Sequence, residues 1–219
     1  SIATYTGDYT SGKTVSHGLG VIPEFICVKK LTAGDDGTPR NWAVYHGSEG
    51  PTRYATLSDN WAFASNAGYW NDGSPAFSTT TFTVGNDYSV NANNATYVAY
   101  SWAGVDGYSK FGTYEGNSVP DGPFIYLGFK PSILIWKNAD DGTAAWRILD
   151  NKRNPYNPVA ARLYPSEAWT ESDNSSIDFT ANGFKVITNS ADVNTNTIVY
   201  AAWAENPFGG SGVGQARAR

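Results

Sequence analysis

The sequence contains few of the residues on which disulfide-bonded or metal-stabilised proteins depend. Among its 219 residues it has one cysteine, two histidines and no methionine. A single thiol excludes a disulfide within the chain and a zinc site built on several thiolates. Because Cys27 stands in an apolar run, we expect it to be a small, buried hydrophobic residue.

Charged residues and long hydrophobic runs are also scarce. Charged residues make up 16% of the chain, and the net charge is −5. The sequence has no basic stripe, so nucleic acid is not an expected partner. No apolar run approaches the roughly 18 residues of a membrane-spanning helix, so we do not expect membrane insertion.

Aromatic residues are abundant instead, at 15% of the chain, and Thr, Asn, Ser and Gly accompany them. This composition favours strands and tight turns over helices. Short β-branched and aromatic runs bounded by turn residues recur throughout, without a convincing amphipathic helix. The sequence therefore predicts an all-β fold, an antiparallel β-sandwich. Its aromatic residues fit two interpretations, a sandwich core or a surface that stacks on sugars.

The sequence contains an internal repeat. Four segments of the first half reappear in the same order in the second half. The turns at residues 35–38 and 140–143 each lead into a tryptophan, Trp42 or Trp146. The matching segments are residues 4–8 and 113–117, 22–29 and 130–137, 35–38 and 140–143, and 97–103 and 198–204. We interpret this as a duplication that fixes the scaffold, so residues present in only one copy are candidates for function.

The repeats extend over residues 1–108 and 109–208. The connection at residues 104–112 is short and partly apolar, which favours a packed crossover over a free linker. We therefore expect residues 1–208 to form one sandwich in which strands of both halves share two sheets. Two small sandwiches are the alternative. We expect residues 209–219 to be a flexible tail, and the chain to be the terminal part of a longer polypeptide.

Catalytic carboxylate pairs are the first chemistry to consider. Glu167 and Glu171 flank Trp169, but in a strand they would lie about 13 Å apart at about 3.3 Å per residue. That exceeds the roughly 5–9.5 Å separation of glycosidase pairs. His17 and His46 belong to no nucleophile motif. We therefore do not expect an enzyme.

Metal and cofactor motifs are the next possibility. Residues 35–37 and 140–142, each Asp-Asp-Gly, lack the arrangement of oxygen ligands that a calcium loop supplies. Their repetition indicates hairpin turns instead. No glycine-rich phosphate loop is present, so the sequence predicts neither a metal site nor a cofactor.

Two stretches occur in only one copy, residues 61–73 and 152–165. The first crowds aromatic residues with Asn and Asp, and prolines stiffen the second into an extended loop. Both suit ligand binding, and both equally suit packing between repeats or subunits. The candidate ligand-binding residues are Trp61, Tyr69, Trp70, Arg153, Tyr156 and Arg162.

The motifs in their combined order resemble a known family. They are residues 15–24, 41–46, 108–114, 121–124, 153–157 and 200–208. Together they resemble a duplicated domain of uncharacterised function that is frequent in tailed bacteriophages, notably marine ones. The resemblance covers residues 1–208 and implies the C-terminal module of a virion protein such as a tail fibre or spike. It also implies a lectin-like or jelly-roll sandwich on the outer surface of the particle, and it supplies no catalytic residues.

Three functional hypotheses follow. The first is a terminal module of a phage appendage that binds a host surface glycan, its aromatic residues stacking on sugars. The second is a structural domain, for head decoration or fibre assembly, whose aromatic loops pack against other virion proteins. The third is a glycan depolymerase that uses Glu167 or Glu171. By analogy with fibre modules we expect a homo-oligomer, a trimer.

Overall fold

The computed structural model describes residues 1–205. The described chain separates into two units by its internal contacts. The first unit contains residues 1–59 and 63–103, and the second contains residues 60–62 together with those from 104 onward. Strands make up 41% of the residues and helices 9%, and the strands pair in antiparallel sheets, so the predicted all-β fold is confirmed.

The first unit has a six-stranded and a two-stranded sheet. The larger sheet has the order β1-β8-β3-β4-β5-β6, and the smaller one pairs β2 with β7. The elements are β1 (Ile2–Thr6), β2 (Lys13–Ser16), β3 (Phe25–Lys30), a 3₁₀ helix (Gly34–Asp36), β4 (Ala43–His46), β5 (Arg53–Thr56), β6 (Ala64–Ser65), α1 (Ala67–Trp70), a 3₁₀ helix (Asn71–Gly73), β7 (Thr81–Val84), α2 (Tyr88–Asn91) and β8 (Thr96–Trp102).

The apolar run of β3 explains its central position. β3 lies between β8 and β4 and is buried along nearly its whole length, as expected for a strand covered on both faces. β8 alternates between buried and half-exposed positions, so one of its faces points to the core. Val15 of β2 and Phe82 of β7 join Ile26 and Tyr97 of the large sheet in one hydrophobic cluster. The two sheets therefore share this core.

The second unit has two four-stranded sheets. Their orders are β12-β11-β16-β9 and β10-β15-β14-β13. The elements are β9 (Ser109–Glu115), β10 (Phe124–Tyr126), β11 (Pro131–Asn138), β12 (Arg147–Asp150), β13 (Val159–Arg162), β14 (Ser172–Thr180), β15 (Gly183–Val186), α3 (Ala191–Asn194) and β16 (Thr197–Ala204). Trp136 and Tyr200 of one sheet cluster with Ile177 and Phe184 of the other, which gives this unit its own core.

The two units use the same strand order around their central strands. The series β1-β8-β3-β4 of the first unit corresponds to β9-β16-β11-β12 of the second. Tyr5 donates its hydroxyl hydrogen to the backbone oxygen of Val90 at 2.7 Å, and Tyr114 makes the same bond to Val193 at 2.7 Å. These equivalent bonds agree with the scaffold positions that the repeated segments indicate.

The structure corrects the expectation that strands of both halves share two sheets. Within the described residues every sheet takes its strands from one half only. The physical reason is that each repeat supplies enough apolar surface for a core of its own, with two hydrophobic clusters instead of one.

The first predicted hairpin turn is also longer than expected. The β3–β4 connection contains the 3₁₀ helix Gly34–Asp36, and Gly37 ends this helix with a φ of 65°. Glycine suits this left-handed conformation because it carries no Cβ atom.

The predicted tail at residues 209–219 lies outside the described residues. Among the described helices, none has the length and apolar character that crossing a bilayer requires.

Candidate ligand-binding site

Two of the aromatic residues predicted to bind ligand belong to the core of the first unit. Tyr69 and Trp70 lie on α1, which begins after Asn66, whose side chain accepts a hydrogen bond from the Gly68 amide. The Tyr69 ring stacks on Tyr54 with centroids 3.6 Å apart, and Trp70 is fully buried. Other side chains cover both rings, which corrects the prediction that Tyr69 and Trp70 stack on a sugar.

Arg162 is likewise an interior residue. Its side chain is 2% exposed, and its Nη1 atom donates to Asp192 Oδ2 at 3.2 Å. Its other terminal nitrogen donates to Ser176, and its guanidinium lies 5.7 Å from the centroid of the Trp136 ring. Buried charges require such partners. The prediction that Arg162 contacts ligand is therefore corrected to a structural role in the second unit.

The other three predicted residues lie at the surface. Trp61 is 62% exposed and Tyr156 is 81% exposed. Arg153 is less free, because its guanidinium forms ion pairs with Asp150 and Glu171, each at 2.6 Å. A ligand role for these three residues stays a prediction.

A cavity in the first unit combines aromatic and acidic side chains. Its volume is about 390 Å³, within the range of roughly 300–1,000 Å³ that small-molecule sites occupy. The residues that line it come from the segment after β1, from the β3–β4 connection, and from α2 and the segment that follows it. They are Asp8, Tyr9, Asp35, Asp36, Tyr88 and Asn93.

Two stacked tyrosines form the aromatic part of this cavity. The Tyr9 and Tyr88 rings have centroids 5.1 Å apart and an interplanar angle of 24°. Tyr9 is 44% exposed and Tyr88 is 40% exposed, so both rings remain accessible. Arg40 lies over the Tyr88 ring, 5.4 Å from its centroid. A hydrogen bond to Tyr9 raises the pKa of Tyr88 above its ordinary value.

The backbone of Tyr9 has an unusual conformation for a bulky residue. Its φ is 62°, in the left-handed region, and its amide donates to the Asn91 carbonyl oxygen at 3.0 Å. Ser118 has a φ of 60°, and its backbone amide likewise donates to the Asn194 carbonyl oxygen at 2.9 Å. The turn is therefore present in both units, and it does not need a tyrosine. For a residue with a Cβ atom, this left-handed conformation lowers the stability of the folded state by roughly 1–2 kcal/mol.

The acidic part of the cavity depends on Gly34, which lets the β3–β4 connection lie close to Ala95. The φ of Gly34 is 61°, and a Cβ atom there would lie 2.6 Å from the Ala95 Cβ atom, so glycine allows the close approach. The adjacent Asp35 amide donates to the Asn93 carbonyl oxygen at 3.0 Å. The Asp35 carboxylate accepts hydrogen bonds from the side-chain amides of Asn93 at 2.6 Å and Asn94 at 3.0 Å.

All three carboxyl groups of the cavity are ionised at neutral pH. Hydrogen bonds from Asn94 and Asn93 lower the pKa of Asp35. Burial opposes ionisation of Asp8, but the hydrogen bond from Lys13 brings its pKa below the ordinary value. Burial also opposes ionisation of Asp36, and hydrogen bonds from Lys30 and Arg40 lower its pKa in the same way.

The cavity can bind a small polar molecule that also has an apolar face. Tyrosine rings pack against apolar surface, and carboxylate and amide oxygens accept hydrogen bonds from hydroxyl or ammonium groups. In the part of the chain that the structure describes, no three His, Cys, Asp or Glu residues are grouped to hold a metal ion.

The second unit lacks both aromatic residues at the equivalent positions. Ser118 stands where the first unit has Tyr9, and Ala191 begins α3 as Tyr88 begins α2. Sequence reasoning missed this pair, although the signal was present. Extending the first repeated segment by one residue past Asp8 would have shown that Tyr9 occurs in one copy only.

Comparison with known proteins identifies a family. The family model described as Domain of unknown function (DUF7483) matches residues 1–207. The chain belongs to this family. No curated protein and no solved structure matches the chain. The description of DUF7483 states neither an activity nor a biological setting, so the evidence for function comes from the cavity, and the virion setting stays a prediction.

Proposed function

We propose that the chain is a carbohydrate-binding module whose binding site is the Tyr9–Tyr88 cavity of the first unit. The observation that carries this proposal is the stacked, half-exposed tyrosine pair beside three carboxylates in one cavity. A sugar ring has an apolar face that packs on tyrosine and hydroxyl groups at its rim. The cavity offers a surface for the first and hydrogen-bond acceptors for the second.

The identity of residue 9 also supports this proposal. Serine occupies the same left-handed conformation in the second unit, so the turn does not require a tyrosine. Tyrosine at this position therefore exposes an aromatic ring that the fold itself does not need, and a ligand that packs on the ring accounts for its presence.

The biological setting that we propose is the outer surface of a phage particle, with a host surface glycan as ligand. This part of the proposal rests on the resemblance of the sequence motifs to tail-fibre and spike modules. Assembly as a trimer rests on the same analogy.

The experiment is a glycan array with the purified protein, followed by calorimetric titration of each glycan that binds. The test variant is Y9S/Y88A, which gives the cavity the residues of the second unit at these two positions. We expect it to fold and to lose at least about tenfold in affinity, since aromatic contacts of this kind contribute on the order of 1 kcal/mol each.

Tyr156→Ala is the matched comparison, because Tyr156 is an exposed tyrosine of the second unit. We expect its affinity to equal that of the unmodified protein. Binding that survives in Y9S/Y88A but is lost in Tyr156→Ala would place the site on the predicted loop at residues 152–165 and contradict the proposal.

A structural role is the second candidate, and one observation favours it. Phe124 and Tyr126 are both exposed on β10, where alternate residues point to the same side of the sheet. Exposed aromatic pairs are typical of protein interfaces. Light scattering would measure the oligomeric state of the protein and of F124T/Y126S. Dissociation of an oligomer in this variant would support a structural role for β10.

A further inference from the structure

The charges around the Tyr9–Tyr88 cavity are unevenly compensated. Asp8 forms an ion pair with Lys13 at 2.7 Å, and Asp36 is paired with Lys30 and Arg40. The hydrogen-bond donors to Asp35 are the amides of Asn93 and Asn94, which carry no charge. Among the residues that the structure describes, no cation pairs with Asp35, so its negative charge at the cavity wall is not balanced.

The two amides also orient Asp35. Asn93 Nδ2 donates to Asp35 Oδ2, and Asn94 Nδ2 donates to Asp35 Oδ1, so each carboxylate oxygen has one fixed partner. A carboxylate oxygen can accept more than one hydrogen bond, and Asp35 is an exposed residue. The side chain is thus held in place, negatively charged and open to a donor from the ligand.

We infer that the cavity takes a sugar unit with a positively charged amino group, and that Asp35 determines this specificity. The inference rests on the proposed carbohydrate-binding function. The sugar ring packs on the exposed tyrosine pair, and its ammonium group donates a charge-assisted hydrogen bond to Asp35. A cation beside tyrosine rings gains further attraction. Acidic sugars are disfavoured, because their carboxylates would lie close to the uncompensated negative charge of Asp35.

The experiment compares three oligosaccharides by calorimetric titration at about pH 5.5, where carboxyl groups of ordinary or lowered pKa are ionised. The first is an oligomer of glucosamine. The second is the N-acetylglucosamine oligomer of the same length, which differs only in having neutral amide groups. The third is an oligogalacturonate, which is acidic. We expect the affinity for the glucosamine oligomer to be at least about tenfold higher than that for its acetylated counterpart. The affinity for the acidic oligomer should be the lowest of the three.

Two variants locate the source of this preference. Asp35→Asn removes the charge at almost constant volume, and we expect the two glucosamine-type oligomers to bind it equally. Asp140→Asn changes the corresponding Asp-Asp-Gly segment of the second unit, and we expect it to keep the preference. Because Asp35 is exposed, Asp35→Asn should fold, and equal melting temperatures of the variants check this.

Salt dependence provides a second measurement on the unmodified protein. Raising the ionic strength from about 0.05 to 0.5 M should weaken binding of the glucosamine oligomer and leave the acetylated oligomer unaffected. The net charge of −5 could attract any cationic oligomer, but that attraction would survive Tyr9→Gly. We expect Tyr9→Gly to lose binding, and survival of binding would overturn the inference.

The outcomes separate this inference from the proposed function. Equal affinity for the two glucosamine-type oligomers, both lost in Tyr9→Gly, would overturn the charge preference and leave the carbohydrate site intact. Tightest binding of the acidic oligomer would also overturn the preference. If none of the three oligomers binds, the inference fails, and the glycan array decides the proposed function separately.

Discussion

Tyr9 and Tyr88 stack with ring centroids 5.1 Å apart, and the second unit has Ser118 and Ala191 at the two equivalent positions. The two units keep the same turn and the same short helix, but at these two positions the first unit has an aromatic pair and the second has two small residues. This difference between otherwise equivalent positions is the basis of the proposed binding site.

The left-handed backbone of residue 9 predicts an order of stability for small replacements. Tyr9→Gly and Tyr9→Ala remove the same ring, but only glycine adopts a φ of 62° without strain. We expect the free energy of unfolding of Tyr9→Gly to be about 1 kcal/mol higher than that of Tyr9→Ala. Urea denaturation measures this difference, and an alanine variant as stable as the glycine variant would contradict it.

Trp70 and Trp61 should respond very differently to truncation. Trp70 is fully buried in the first core, and Trp61 is mostly exposed. We expect Trp70→Ala to lower the free energy of unfolding by about 3–5 kcal/mol, because it removes a large core side chain. Trp61→Ala should change it by less than about 0.5 kcal/mol. Thermal and urea unfolding of the two variants measure the contrast, and similar losses would argue against the core assignment.

Asp192 compensates two buried guanidinium groups. Its Oδ2 atom lies 2.9 Å from Arg147 Nε and 3.2 Å from Arg162 Nη1. Asp192→Ala leaves both cations without an acid, so we expect a loss of about 3–5 kcal/mol. Arg162→Met should cost less, because Arg147 and Asp192 still pair and methionine fills much of the volume. Equilibrium unfolding would contradict this account if Arg162→Met were the more damaging change.

Lys137 should make stability rise with pH in the mildly alkaline range. Burial lowers the pKa of Lys137 from 10.5 to about 8. Between these two values the unfolded chain binds more protons than the folded chain, so the free energy of unfolding increases with pH. Between about pH 7 and about pH 8.5, the free energy of unfolding should rise more in the unmodified protein than in Lys137→Met.

The pH range of that experiment ends below the ordinary pKa values of the other buried groups that titrate in alkali. Burial raises the pKa of Cys27 from 9.0 to about 12, so its contribution to stability is lost as the pH rises through and above 9.0. Burial raises the pKa of Tyr5 and Tyr114 above 10.0, so their contribution to stability decreases only as the pH rises above that value. Lys152→Met provides a control, because Lys152 is largely exposed. If Lys152→Met and Lys137→Met reduce the rise equally, Lys137 is not its source.

Strand positions were the most predictable part of the fold. The sequence predicts strands at its short β-branched and aromatic runs, and one such run forms β3, which is paired on both sides and almost fully buried. The repeated segments place Tyr5 and Tyr114 at corresponding positions, and the hydroxyl groups of both donate to a backbone oxygen at 2.7 Å. How the strands divide between sheets was not predictable, because that depends on which apolar surfaces pack together.

Burial of the single-copy residues was the main limit of the sequence interpretation. Tyr69 and Trp70 occur in a polar, loop-like segment, but a four-residue helix turns them into the core. Arg162 is buried because Asp192 and Ser176 reach it from elsewhere in the chain. The cavity itself joins Tyr9, Asp35 and Tyr88 from three distant segments, which only the folded chain brings together.

The location of the glycan site is the central claim, and nuclear magnetic resonance tests it most directly. The measurement is the change in backbone amide shifts when a glycan that binds on the array is added to the labelled protein. We predict that the perturbed amides cluster at residues 8–10, 34–36 and 87–93, which surround the cavity. Perturbations that cluster instead at residues 60–62 and 152–165, with the cavity unchanged, would contradict the account.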